Sequence, residues 1–264
     1  MHIPDNYLSP STCAVLGTAM VPVWAVSVKK VKAEIPKEKI PLLGIGAAFS
    51  FLGMMFNIPL PGGTTGHAVG GTLIAALCGP YAACISVTIA LLVQALLFGD
   101  GGILAFGANC FNMAFVLPFV GYMVAQVLKH YLKGKHADSI AYGIGAYFGI
   151  NAAALCAAIE FGVQPLLFTD AAGKALYCPY PLGVAVPAMM IGHLTVFGAA
   201  EVIFTVAVLA FMKKAAPDTA YVKKSHAVRP VYLLLTALIV LTPLGLLATG
   251  TAWGESGMDE IAEV

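Results

Sequence analysis

Residues 81–98 read YAACISVTIALLVQALLF, an apolar run with no charged side chain. At about 1.5 Å of rise per residue, a helix of this length matches the roughly 30 Å hydrocarbon core of a bilayer. The pattern recurs on either side of it. Apolar segments at 11–28, 41–57, 103–132, 139–162, 183–212 and 230–249 are separated by short polar connections. A shorter run, 67–78, is closed by Gly79-Pro80 and reads as a short helix, a re-entrant piece or half of a broken helix. The segment 103–132 exceeds a single span, leaving room for an irregular start over 105–112 or for strong tilt. Composition agrees: 59% of the chain is hydrophobic and 10% charged, against about 25% charged in a soluble domain. These features predict an all-α integral membrane protein, a polytopic bundle of about seven to eight transmembrane helices.

The basic residues orient that bundle. Lys29, Lys30, Lys32, Lys37 and Lys39 follow the first helix, and Lys129, Lys133 and Lys135 follow the 103–132 segment. Lys213, Lys214, Lys223, Lys224 and Arg229 separate the last two helices, and Lys174 stands alone elsewhere. Placing the three basic loops in the cytoplasm satisfies the positive-inside rule, provided that 67–78 and 81–98 cross as a pair. The N-terminus, the loop 58–66, the turn at Asp100, the loop 163–182 and the acidic C-terminal tail are then extracytoplasmic. The chain divides into a membrane bundle, 1–212, and a C-terminal part, 213–264. The latter comprises a cytoplasmic loop, one more transmembrane helix and the tail.

Several functions are excluded or disfavoured. A formal net charge of +1 offers nothing to nucleic acid. The six cysteines form no C-x-x-C pair and lie mostly in apolar runs, where they act as small hydrophobes. There is no G-x-x-x-x-G-K-[ST], so no ATPase is visible, and no H-E-x-x-H or G-x-S-x-G. The first apolar run lacks a basic leader and a small-residue cleavage site, so Met1 is expected to remain in the mature protein.

The chain begins MHIPDNYLSP. Ser9 is a helix cap ahead of a proline at the first helical position, which leaves 1–8 as a short extended arm stiffened by Pro4. An α-amine, the amide nitrogen of His2 and its Nδ1 can chelate one ion through a five- and a six-membered ring. Such a planar nitrogen set suits Ni(II) or Cu(II). The alternative is a solvated terminal histidine with no role. His67 closes the Gly- and Pro-rich stretch NIPLPGGTTGH on the same face and is the natural fourth ligand; a loop histidine bonded to a carbonyl is the competing reading. Asp5, Asn6, Asp100, Asn109 and Asn112, with Thr64 and Thr65 beside His67, are candidates for orienting the imidazoles. Intramembrane His193 reads as a neutral histidine bonded across helices, and Glu160 and Glu201 as structural carboxylates. His130, His136 and His226 fall among lysines and read as solvated surface.

MHIPDNYLSP together with PLPGGTTGHAVGGTL resembles the membrane substrate-binding component of nickel and cobalt energy-coupling factor transporters, the NikM/CbiM family, over roughly 1–212. The resemblance implies an arm inserted into the bundle from outside. It also implies metal held by the Met1 amine, the amide and ring of His2, and the ring of His67. It further implies a membrane coupling component, two cytoplasmic ATPase subunits and a small accessory membrane subunit as partners. The transported Ni(II), with Co(II) as the alternative, is cargo and not a cofactor, and the chain is not itself an enzyme. Asn6 stands where the family usually has glycine; asparagine tolerates turn conformations, so the path of the arm is expected to survive. A membrane metalloenzyme fits less well, because four protein nitrogens in a plane leave no open position for catalysis. A vitamin-binding component would need an apolar pocket instead of a chelate.

Overall fold

The structure is a computed structural model that describes residues 1–59, 65–134 and 136–215. The sequence-predicted helix 230–249, the acidic tail, His226, Thr64 and Lys135 lie outside the described residues. Among the described residues the protein is helical apart from a two-residue hairpin and short connections. The helices are α1 (Pro10–Glu34), α2 (Pro41–Met55), α3 (Gly71–Cys78), α4 (Pro80–Val93), α5 (Phe106–Asn109), α6 (Leu117–Tyr131), α7 (Ala137–Leu167), α8 (Leu182–Gly192) and α9 (Gly198–Ala215). The hairpin pairs β1 (Ile58–Pro59) with β2 (Thr65–Gly66).

Three helices run on through a wider π-type turn. Gln94–Phe98 extends α4, Cys110–Val116 joins α5 to α6, and His193–Phe197 joins α8 to α9. The segment read as 103–132 with an irregular start is therefore continuous from Phe106. Six stretches are long and apolar enough to cross a membrane: Pro10–Glu34, Lys37–Met55, Pro80–Phe98, Phe106–Tyr131, Ala137–Leu167 and Leu182–Ala215. The outward surface is apolar, with Val15, Leu97, Ile191 and Ile203 exposed, whereas Gln94, Gln164, Glu201 and Thr205 are fully buried. That inversion is what a bundle in lipid requires, since polar groups find partners only inside.

The eight residues of α3 rise only about 12 Å, too little to cross alone. Residues 67–70 before it are not helical, so the run 67–78 is only partly helical. Close helix contact holds this centre together. A Cβ at Gly145 of α7 would collide with the Gly121 carbonyl of α6, and one at Gly149 would come within 2.5 Å of the Leu117 carbonyl. Small residues at these positions let the backbones meet.

Lys129 and Lys213 both pair with Asp138, at 3.1 and 3.2 Å, near the start of α7. The N-terminal arm bonds Gln164, near the end of the same helix. The two features thus sit at opposite ends of α7, separated by about 39 Å of helix.

Candidate metal site

The arm is positioned by its own backbone. The Ser9 side chain accepts from the Thr12 amide at 3.1 Å and caps α1, with Pro10 opening the helix. Asn6 has φ 70° and is the one described non-glycine residue with positive φ. Its place is a left-handed turn, a conformation that glycine and asparagine adopt more readily than other residues. Beyond the turn, Ile3 is fully buried and Met1 and His2 nearly so.

Asn109 clamps Ile3 from both sides. The Ile3 amide donates to Asn109 Oδ1 at 2.8 Å, and Asn109 Nδ2 donates to the Ile3 carbonyl at 3.0 Å. Gly102 adds a backbone bond to the same carbonyl at 2.8 Å. His2 Nδ1 lies 3.0 Å from Asp100 Oδ1, and Gln94 Nε2 donates to the other oxygen of Asp100 at 3.1 Å. The turn at 99–102 presses closely on the arm. Gly101 has φ 82°, and a Cβ there would lie 3.6 Å from His2 Cδ2; one at Gly102 would lie 2.6 Å from the Asp5 amide.

His67 arrives from the other side, in the connection between the second and third membrane-spanning segments. Its ring faces that of His2 with centroids 4.8 Å apart and planes inclined by 32°. A neutral imidazole is the form that coordinates metals. His67 Nδ1 makes only a long contact, 3.4 Å, to the Ala68 carbonyl. His2 Nε2 and His67 Nε2 are both buried without a hydrogen-bond partner. Orphaned buried ring nitrogens are costly unless something else binds them.

The remaining candidates separate. Asp100 orients His2, and Asn109 fixes the residue next to it. Asp5 instead accepts from the amides of Ile103 and Leu104 at 3.2 and 3.0 Å, holding the turn that carries Asp100 rather than an imidazole. Asn6 is exposed and acts through its backbone. Thr65 pairs with Pro59 in the hairpin and so serves the loop. Asn112 donates to Glu160 at 2.8 Å, not to a site histidine, giving Glu160 a partner. His193 bonds the Met189 carbonyl one turn earlier on its own helix at 2.8 Å, where a bond across helices was expected. Its ring packs edge-on against Phe197 at 5.0 Å.

Two contributors escaped the sequence reading, and a third, Glu201, was read as a structural carboxylate without its target. Gln94 supports Asp100. Gln164 receives the Ser9 amide at 3.0 Å. Glu201 receives the amides of Val69 and Gly70 just past His67. Each lies in an apolar run, and the π-type turn that begins at Gln94 leaves no periodic signature. Among the described residues no group of three or more His, Cys, Asp or Glu side chains is arranged to hold a metal ion.

Comparison with known proteins identifies the class. Residues 2–219 match the family described as the cobalt uptake substrate-specific transmembrane region, CbiM. A probable fused nickel transport protein, LarMN, of Lactiplantibacillus plantarum is 55% identical over 266 residues, covering 100% of this chain and 80% of that protein. The fused nickel transport protein NikMN of Rhodobacter capsulatus is 52% identical over 265 residues, covering 98% of this chain and 76% of the relative. The crystal structure of a truncated transition metal transporter superposes with a TM-score of 0.77 at 56% identity, over 81% of this chain and 99% of that one. The chain belongs to the CbiM/NikM family and is a multi-pass membrane transport component.

Proposed function

We propose that, within this family, the chain captures Ni(II) at its N-terminus for ATP-driven uptake, with Co(II) as the alternative cargo. The observation that carries this reading is the pair of facing imidazoles, each with a buried and unpartnered Nε2, beside a buried N-terminal residue. Too few ligating side chains converge here to hold an ion by themselves, which favours backbone nitrogen as the remaining donor. The Met1 amine, the His2 amide and ring, and the His67 ring complete a nitrogen set. The proposed chelate uses His2 Nδ1, the atom that lies against Asp100 in the structure. Turning the ring over frees Nδ1 for the ion and brings Nε2–H, the remaining donor, toward Asp100. Nickel is preferred to cobalt because four nitrogens in a plane suit its geometry and because the two relatives described above are named for nickel.

The arm lies on the extracytoplasmic side in this reading, since the Lys129–Asp138–Lys213 cluster marks the opposite end of α7 and basic ends face the cytoplasm. A membrane coupling component and two cytoplasmic ATPase subunits supply the energy, as expected for a chain whose sequence has no phosphate-binding loop. The family match ends at residue 219, whereas the alignment with LarMN, a fused protein, extends over the whole chain. The site is tested by acetylating the Met1 amine, which ties up its lone pair in an amide. One ring of the chelate is then lost while the bundle stays folded, and calorimetry shows nickel affinity falling at least about 100-fold, beyond the roughly 10- to 100-fold that losing an outer partner of a ligand costs. Unchanged affinity would sink the amino-terminal site.

A further inference from the structure

The segment that carries His67 is gripped by a helix distant in sequence. Glu201, on α9 and fully buried, accepts the Val69 amide on Oε2 at 2.7 Å. It also accepts the Gly70 amide on Oε1 at 3.0 Å and on Oε2 at 3.1 Å. Gly70 is the N-cap of α3, where amides have no acceptor within the helix. Phe197, four residues earlier and likewise buried, closes on the other side of the histidine: a Cβ at Gly66 would fall 2.5–2.6 Å from its ring. Glu201 and Phe197 therefore hold the backbone on both sides of His67, alongside Ser50 of α2, whose hydroxyl donates to the Val69 carbonyl at 2.8 Å, while the imidazole's own hydrogen bonding is limited to its long contact to Ala68.

Simple packing does not account for a carboxylate here. Among the described residues Glu201 makes no ion pair, and an acid inside the membrane is expensive unless it performs a task. An apolar side chain of the same volume would pack the helix at lower cost. What the acid supplies is acceptor oxygen for two amides whose direction sets the path of the chain out of His67.

We infer that Glu201 is a positioning residue for metal capture: through the Val69 and Gly70 amides it holds His67 where the fourth nitrogen of the site is needed. This deepens the nickel-site reading and rests on it.

The test is a double-mutant cycle on the full chain, with nickel affinity measured by calorimetry for wild type, Glu201→Gln, His67→Ala and the pair. Glutamine keeps the volume but replaces one acceptor oxygen with a donor. Glu201→Gln is expected to weaken nickel binding about 10- to 100-fold, the range for residues that orient ligands. It should also diminish the absorption band of planar nickel, and cause no further loss once His67 is alanine. Equal losses in both backgrounds would mean general destabilisation and overturn the inference, as would unchanged affinity in Glu201→Gln. Amide exchange at 69 and 70 in metal-free protein separates the two levels. Faster exchange in Glu201→Gln supports the hold on the loop even if wild type binds no nickel, a result that would fail the site itself; unchanged exchange overturns the hold. Should Glu201→Gln not fold, Phe197→Leu loosens the same segment without removing a charge. The same dependence on His67 is expected there, and its absence overturns the inference.

Discussion

His2 lies in a segment tied by several hydrogen bonds from separate elements. Ile3 is bonded by Asn109 and Gly102, the His2 ring by Asp100, Asp100 by Gln94, and Ser9 by Gln164. His67 faces it from a segment held by two amide bonds to Glu201 and by the Phe197 contact against Gly66. Both histidines are buried, so burial does not distinguish them. The difference lies at the rings: Asp100 holds the His2 imidazole at 3.0 Å, whereas His67 Nδ1 has only a 3.4 Å contact to Ala68 and is placed through its backbone, by Glu201, by Ser50, whose hydroxyl donates to the Val69 carbonyl at 2.8 Å, and by the pairing of Gly66 with Ile58. A site built this way has one imidazole set directly and one set through the chain that carries it. Preorganising the arm also offsets the ordering cost that an N-terminus would otherwise incur on binding.

The largest effect separates the two halves outright. In the proposed site His67→Ala removes one nitrogen of four and should weaken nickel binding about 100-fold or more, beyond the roughly 10- to 100-fold that losing an outer partner of a ligand costs, read by calorimetry. The chelate of the arm remains, so the variant should still bind, and its pH dependence should persist. In the proposed chelate, binding displaces protons from the amine and the amide, so affinity rises with pH and falls as pH drops. Both groups belong to the arm and are unchanged in the variant. Loss of the pH dependence in His67→Ala would assign the protons to the wrong half.

A middle-sized effect tests the redundancy of the arm. Asn109→Ala leaves the Ile3 amide without its acceptor and takes one of two donors from the Ile3 carbonyl. An unsatisfied buried group costs about 1–3 kcal/mol. Nickel affinity should drop by roughly tenfold, the lower range for orienting residues, because Gly102 and Asp100 still hold the arm. A collapse equal to that of His67→Ala would show that the arm hangs on one residue, and the contrast between the halves would disappear.

The sequence revealed these halves unequally. The arm was legible because its signals are local: a histidine one peptide from an amine, Pro4, and the Ser9 cap. The membrane helices were legible from their apolar length, and the lysine clusters agree with the end of α7 where Lys129, Lys213 and Asp138 meet. Glu201 was read as structural without its target, since its contact to Val69 and Gly70 joins residues more than a hundred positions apart. Gln94 and Gln164 were invisible for the same reason: in a membrane bundle a buried amide looks like any polar interruption until its partner is known. The breadth of α3 was also hidden, because an apolar run of its length does not say how much of it is helix.

The smallest effect sharpens what the arm owes to its turn. Asn6 holds φ at 70°, a conformation that costs most L-residues about 1–2 kcal/mol and asparagine less. Asn6→Gly removes that strain but adds freedom to the unfolded chain, an opposing term of about 0.4–1 kcal/mol. The two nearly cancel, so the melting temperature and nickel affinity should both stay close to wild type. Asn6→Val makes the opposite demand, because a β-branched side chain resists positive φ. It should weaken binding although residue 6 is exposed and contacts neither imidazole. If glycine and valine behaved alike, the turn would not direct the arm, and the bonds from Asn109 and Gly102 would have to do so alone.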